Sequence, residues 1–103
     1  MSSILIIWQQ VAKEDLQEIY NYIAKDSVHY AIKTTKQIID KTQIIRSFPY
    51  VGRKIQIYNN ENIRELIYKS YKIIYEIDSK RIYIHRIFHS SRLFNNSILK
   101  IKK

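Results

Sequence analysis

The spacing of apolar residues changes halfway along the chain, from a helical repeat to strand-like alternation. Residues 4–8 form a short apolar, β-prone run, which predicts a first strand. Apolar positions then recur with the period of one helical face over residues 12–23 and again over residues 28–47. Asp26 and Ser27 lie between the two stretches and supply a helix stop and an N-cap candidate. The first half therefore predicts a strand followed by a helical hairpin, which ends at Phe48-Pro49 because a residue before proline disfavours helical dihedral angles.

After Gly52 the apolar residues alternate with a period of two. This pattern predicts a short strand at 54–58 and three longer strands at 63–68, 72–77 and 82–88, joined by short turns as antiparallel hairpins. The order β-α-α-β-β-β indicates an α+β fold, with an antiparallel sheet and the helical hairpin packed on one of its faces. We assign residues 1–95 to a single domain and residues 96–103 to a basic C-terminal tail. The second face of the sheet is expected to be open.

The last strand has the most unusual composition, because charged residues interrupt its isoleucines. Simple alternation places Arg86 on the side that faces the helices, where we expect it to pair with a helix acid. The same alternation places His85 and His89 on the open face, unless a bulge reverses part of the strand.

Charge is distributed unevenly along the chain. Residues 1–50 hold six Lys or Arg and five Asp or Glu, a net charge of +1, whereas residues 51–103 hold twelve and four, a net charge of +8. This asymmetry favours a polyanionic partner or an acidic protein segment. The chain has no cysteine, and no apolar run approaches the roughly 20 residues that span a bilayer, so we expect a cytoplasmic protein without a membrane partner.

Several kinds of chemistry are disfavoured by the sequence. His85 and His89 are four residues apart in a strand rather than a helix, and without cysteine they do not make a zinc site, so we expect no metal. With one glycine the chain has no phosphate-binding loop, so we expect no cofactor. Acid–base cleavage of RNA is compatible with the second half, which offers these candidates: Arg53, Arg64, Lys72, Tyr75, His85, His89 and Arg92. The alternative is a basic, aromatic surface that docks a protein.

The ordered motifs resemble the RelE/ParE superfamily, the toxins of type II toxin–antitoxin modules. The matching segments are AKEDLQEIYNYI at 12–23, DS at 26–27, FPYVGR at 48–53, IREL at 63–66, YKIIYEI at 71–77 and IHRIFHSSR at 84–92. The resemblance covers roughly residues 5–95, and the superfamily fold agrees with the order read from periodicity.

The resemblance implies two different targets. RelE-like members cut messenger RNA in the ribosome without a metal, and in that case Lys72, His89 and Arg92 are the expected catalytic residues. ParE-like members poison DNA gyrase, and then Arg53, Arg64, Tyr75 and His85 are expected to bind the target; the same four would bind RNA in a RelE-like protein. Phe94 stands where a RelE-like catalytic tyrosine is expected, and the DS hinge and FPYVGR make the chain closer to ParE-like members.

The resemblance also implies a partner. Such toxins are neutralised by a cognate antitoxin, whose acidic or amphipathic C-terminal segment wraps around the toxin to form a hetero-oligomer. A non-toxic member of the superfamily that only binds its antitoxin is a third possibility.

Overall fold

The computed structural model describes residues 4–90, which fold into two helices and a five-stranded sheet. The elements are β1 (Leu5–Trp8), α1 (Gln10–Ala24), α2 (Val28–Ser47), β2 (Arg53–Lys54), a 3₁₀ turn (Gln56–Tyr58), β3 (Ile63–Tyr68), β4 (Tyr71–Asp78) and β5 (Arg81–His89). The predicted α+β class and element order are confirmed. The predicted tail at 96–103 lies outside the described residues.

The strands are arranged in the order β1-β5-β4-β3-β2. Strands β2 to β5 pair antiparallel, as the short turns predicted. Strand β1 instead pairs parallel with β5, with Leu5 opposite Arg81 and Trp8 opposite Ile84. The sheet is therefore mixed, because the helical hairpin brings the chain back so that its first and last strands run in the same direction.

The helical hairpin covers one face of the sheet. Ser27 caps α2, since its Oγ accepts a hydrogen bond from the Tyr30 amide at 3.1 Å, as predicted. The main core lies between the hairpin and the sheet and contains Ala12, Ile38, Ile45, Leu66, Ile73, Tyr75, Ile77, Ile82, Ile84 and Ile87. Neither of the two described helices has the length and hydropathy to cross a bilayer.

The second face of the sheet is partly covered, contrary to the expectation of an open face. The predicted strand at 54–58 is wrong, because pairing stops after Lys54 and the chain turns into the 3₁₀ segment. This turn buries Ile55 against the sheet in a second apolar cluster, together with Ile63, Ile74 and Phe88, and Tyr58 packs at its margin. Ile55 is therefore buried by packing against the sheet and not by extending β2.

A β-bulge in β5 reverses the alternation of its side chains. Ile84 lies opposite Tyr75 but Arg86 lies opposite Ile74, so His85 is an extra residue in β5. Ile84 and Ile87, three residues apart, consequently both join the main core. The alternation predicted beyond the bulge is wrong: Phe88 belongs to the second cluster, and His89 lies on the side of α1.

Asp15 of α1 binds β5 immediately after the bulge. Its carboxylate accepts hydrogen bonds from Arg86 Nε at 2.7 Å and Arg86 Nη2 at 3.0 Å, and from the Ile87 amide at 3.0 Å. The bond from Asp15 raises the pKa of the Arg86 guanidinium, although burial opposes this effect. The expected pairing of Arg86 with a helix acid is confirmed. Because β1 pairs with β5 no further than Ile84, Asp15 also satisfies a backbone donor that β1 does not reach.

We expect Asp15→Ala to lower the free energy of unfolding by about 3 kcal/mol, because it leaves the largely buried Arg86 guanidinium and the Ile87 amide without their acceptor. Glu14→Ala removes an exposed neighbouring acid and is the matched control. Urea unfolding of the two variants measures the difference. Equal losses in both would contradict a specific role for the Asp15 carboxylate.

Candidate functional site: a partly covered sheet face and a clamped loop

The candidate site residues of the sequence do not converge on one surface. Lys72 and Arg53 meet on the sheet face opposite the helices, and His85 lies on the same face at the bulge. Tyr75 and Arg64 hold the loop between α2 and β2. Arg92, like Phe94, lies outside the described residues.

Glu65 forms ion pairs with two of the candidate cations. Arg53 Nε lies 2.6 Å from Glu65 Oε2, and Lys72 Nζ lies 3.7 Å from Glu65 Oε1. The Glu65 side chain is 9% exposed, whereas that of Arg53 is 67% exposed. A buried carboxylate between two cations reduces the positive potential that they could offer to a phosphate. Arg53 nevertheless keeps much of its surface available to a partner.

Lys72 and His89 lie on opposite sides of the sheet. Lys72 is paired with Phe88 across β4 and β5, and His89 is paired with the preceding residue, Tyr71. Consecutive pairs in an antiparallel ladder project to opposite faces. Two residues expected in one catalytic set are therefore separated by the sheet itself.

His89 lines a cavity of about 530 Å³ between α1 and the end of the sheet. Its ring meets that of Tyr71 edge to face, with the centroids 5.4 Å apart. The other lining residues are Asp15, Glu18, Ile19, Tyr22, Tyr71 and Ile87. The wall contains Glu18 and an Asp15 that is already paired with Arg86, and among the described residues it contains no Lys or Arg to bind the phosphates of RNA.

His85 forms a polar pair on the sheet face opposite the helices. Its Nε2 lies 2.8 Å from Glu76 Oε1, and its ring stacks at 6.4 Å on Tyr83. Burial lowers the pKa of His85 from its usual 6.5. Because a carboxylate can only accept, His85 Nε2 is the donor in this pair. Within residues 4–90, no three His, Cys, Asp or Glu side chains form a group that could hold a metal ion.

Because the folded state holds His85 with a lowered pKa, the unfolded chain binds the proton more readily. The free energy of unfolding should therefore fall as the pH is lowered through the ordinary histidine pKa of 6.5. We expect His85→Gln, which keeps a donor for Glu76 but does not titrate, to make this pH dependence shallower. Urea unfolding at a series of pH values measures the slope. His29→Gln, at an exposed position of α2, is the control, and an unchanged slope in His85→Gln would contradict the assignment.

Tyr75 holds the loop that joins α2 to β2. Its hydroxyl donates to the Pro49 carbonyl oxygen at 2.6 Å and accepts from the Gly52 amide at 2.9 Å. The side chain is fully buried, and burial raises its pKa. An added Cβ at Gly52 would lie 2.6 Å from the Glu65 carbonyl oxygen, so the loop passes over the sheet too closely for any other residue. In this fold Tyr75 positions the loop and does not itself face solvent.

Arg64 holds the same loop from the side of β3. Its Nη1 donates to the Gly52 carbonyl oxygen at 2.8 Å, and its guanidinium carbon lies 4.7 Å from the centroid of the Tyr50 ring. Its Nε and Nη2 bond to the backbone and side chain of Glu61. These contacts make Arg64 a residue that positions the loop between α2 and β2.

We expect Tyr75→Phe to lower the free energy of unfolding by about 1–3 kcal/mol, because it leaves the Pro49 carbonyl and the Gly52 amide without their buried partner. Faster hydrogen exchange of the Gly52 amide would locate the effect. Tyr58→Phe is the control, since the Tyr58 hydroxyl has no hydrogen bond among residues 4–90. A stability loss as large in Tyr58→Phe would count against the clamp.

Sequence reasoning missed the acids that organise these sites. Glu65 and Glu76 lie between apolar residues of β3 and β4, and such positions are the available signal for a buried carboxylate that needs a partner. It also missed the exposed apolar residues of the loop, for which the run Phe48-Pro-Tyr-Val51 was the signal.

Comparisons with known proteins identify the class. The sequence model of one protein family, described as the ParE toxin of the type II toxin–antitoxin system parDE, matches residues 6–94. A solved structure described as the chromosomal ParDE toxin–antitoxin system from P. aeruginosa has the same fold, with a TM-score of 0.71 and 21% sequence identity over 84% of this chain and 95% of that chain. No curated protein sequence matches this chain. The chain belongs to the ParE toxin family. It is therefore the toxin component of a type II toxin–antitoxin system, and the expected resemblance to ParE-like members is confirmed.

Proposed function

We propose that this toxin inhibits growth by poisoning DNA gyrase. The observation that carries the proposal is the separation of Lys72 from His89, which lie on opposite faces of the sheet. Cleavage of RNA needs a proton acceptor, a proton donor and cations around a single phosphate. Family membership and the absence of such a convergence among residues 4–90 together favour a toxin that grips a protein. Since gyrase acts on the chromosome, the site of action is the cytoplasm.

The residues divide into those that touch the target and those that position the surface. Arg53, with its exposed guanidinium, is a contact residue, and His85 is a further contact on the same face. Arg64 and Tyr75 contribute indirectly, because they hold the loop between α2 and β2. Lys72, His89 and Arg92 are the catalytic residues only under the alternative function, ribosome-dependent cleavage of messenger RNA.

A type II toxin has a cognate antitoxin, and here we propose that its C-terminal segment is acidic or amphipathic. The net charge of +8 in residues 51–103 supports an acidic segment. Charge pairing of this kind is weakened by salt in proportion to how exposed the pairs are. The toxin and its antitoxin would form a hetero-oligomer in which some of the basic residues are covered.

The purified toxin is expected to block DNA supercoiling by gyrase from a susceptible bacterium, and addition of the antitoxin should restore the activity. A translation assay run on the same preparation should show no cleavage of messenger RNA. A reaction of a different topoisomerase on the same DNA is the control for non-specific DNA binding by this basic protein, and the toxin should leave it unaffected.

Two results would contradict the proposal. The first is cleavage of messenger RNA that His89→Ala or Arg92→Ala lowers by about tenfold or more, which would establish the RelE-like function. If the protein binds its antitoxin but neither blocks supercoiling nor slows growth on induced expression, it is a non-toxic antitoxin-binding member.

A further inference from the structure

The loop between α2 and β2 exposes an unusual concentration of apolar side chains. We call residues 48–51 the docking loop. Phe48 is 66% exposed, Tyr50 is 57% exposed and Val51 is 46% exposed. Isolated exposed apolar residues are ordinary on protein surfaces, but a contiguous group that contains two aromatic rings is typical of an interaction site.

This loop is held rigidly even though its side chains are exposed. The Tyr75 hydroxyl binds both Pro49 and Gly52, and the Val51 amide donates to the Phe48 carbonyl oxygen at 2.9 Å. Tyr50 lies on the guanidinium of Arg64, and its hydroxyl lies 3.3 Å from Asn62 Oδ1. A surface that is ordered before binding loses little conformational entropy when it binds, so its contact area converts efficiently into affinity.

The chain segment that contains the docking loop carries a net positive charge, although Arg53 and Lys54 also form ion pairs with Glu65 and Glu61. Between Asp40 and Glu61 the chain contains no acid and four cations, which are Lys41, Arg46, Arg53 and Lys54. Arg53 follows the loop directly and keeps a largely exposed side chain. The complementary surface is therefore apolar at its centre and bordered by carboxylates.

The shape of the loop distinguishes between partners. An extended antitoxin segment is best accommodated by a groove. A cavity of about 430 Å³ between α1 and α2, lined in part by Trp8, Leu16 and Ile39, has Lys13 and no acid among the described residues of its wall and meets that need elsewhere. None of residues 48–51 lines this cavity. A preformed apolar projection fits a pocket on a folded protein instead.

We infer that the docking loop is the surface by which this toxin enters its target, a folded protein with an apolar pocket rimmed by carboxylates. Phe48 and Tyr50 are the anchors, and Arg53 pairs with the acidic rim. The identification of that target as gyrase rests on the function proposed above, whereas the role of the loop is tested independently of it.

The test uses Phe48→Ser and Tyr50→Ser in the full chain, with Tyr30→Ser as the matched control. Tyr30 is 60% exposed on α2, so its replacement removes an equally exposed aromatic ring from a different surface. Three quantities are measured: growth inhibition on induced expression, inhibition of gyrase supercoiling, and binding of the antitoxin. We expect Phe48→Ser and Tyr50→Ser to weaken growth inhibition and supercoiling inhibition by about tenfold or more, as loss of an aromatic anchor does. Thermal unfolding and antitoxin binding should remain like those of the control.

The outcomes separate the inference from the proposed function. Undiminished growth inhibition by both variants would overturn the role of the loop even if gyrase is the target. Loss of antitoxin binding with toxicity retained would assign the loop to the antitoxin and overturn it as well. If the unmodified toxin slows growth without affecting gyrase, the proposed target is wrong, and the growth assay of the two variants still decides whether the loop is the contact surface.

Discussion

The carboxylate of Asp15 holds β5 at the point where that strand gains an extra residue. A bulge shifts the pairing register of the residues that follow it. In β5 these residues also lie beyond Ile84, the last residue that pairs with β1. Asp15 supplies an acceptor to the Ile87 amide and to the Arg86 guanidinium, so one helix side chain takes the place of a missing strand partner. Ile87, Phe88 and His89 follow directly, so Asp15 stabilises β5 at the point where the bulge assigns these residues to the two faces of the sheet.

A buried residue of the sheet, Tyr75, also holds the exposed loop between α2 and β2. Tyr75 is buried in the main core, and yet its hydroxyl reaches two backbone groups of the loop that carries Phe48 and Tyr50. Gly52 allows the loop to approach the backbone of β3 at Glu65. The core residue Tyr75 therefore holds the backbone that carries these exposed apolar side chains, which links the stability of the core to the docking surface inferred above.

Acidic side chains in residues 51–103 pair with the cations and the histidine that the alternative function, cleavage of RNA, would require. Glu65 lies between Arg53 and Lys72, and Glu76 binds His85. Each carboxylate therefore pairs with a cation or a histidine that an RNA-cleaving site would need for its phosphate. Among the described residues of this half, Arg53 keeps a largely exposed side chain, which can attract an acidic protein partner.

Local periodicity was sufficient to predict the helical hairpin, the Ser27 cap, the three long strands and the α+β order, because those features depend on which side chains near in sequence can share a face. The ordered motifs were sufficient for the family. Strand pairing, by contrast, depends on residues far apart in the chain, so the parallel contact of β1 with β5 and the extra residue at His85 were decided only by the tertiary structure. The extra residue places His89 on the side of α1, away from Lys72, and tertiary packing makes Tyr75 a buried residue that holds a loop. The sequence by itself determined the kinds of residue available to the toxin, and packing determined which of them could meet.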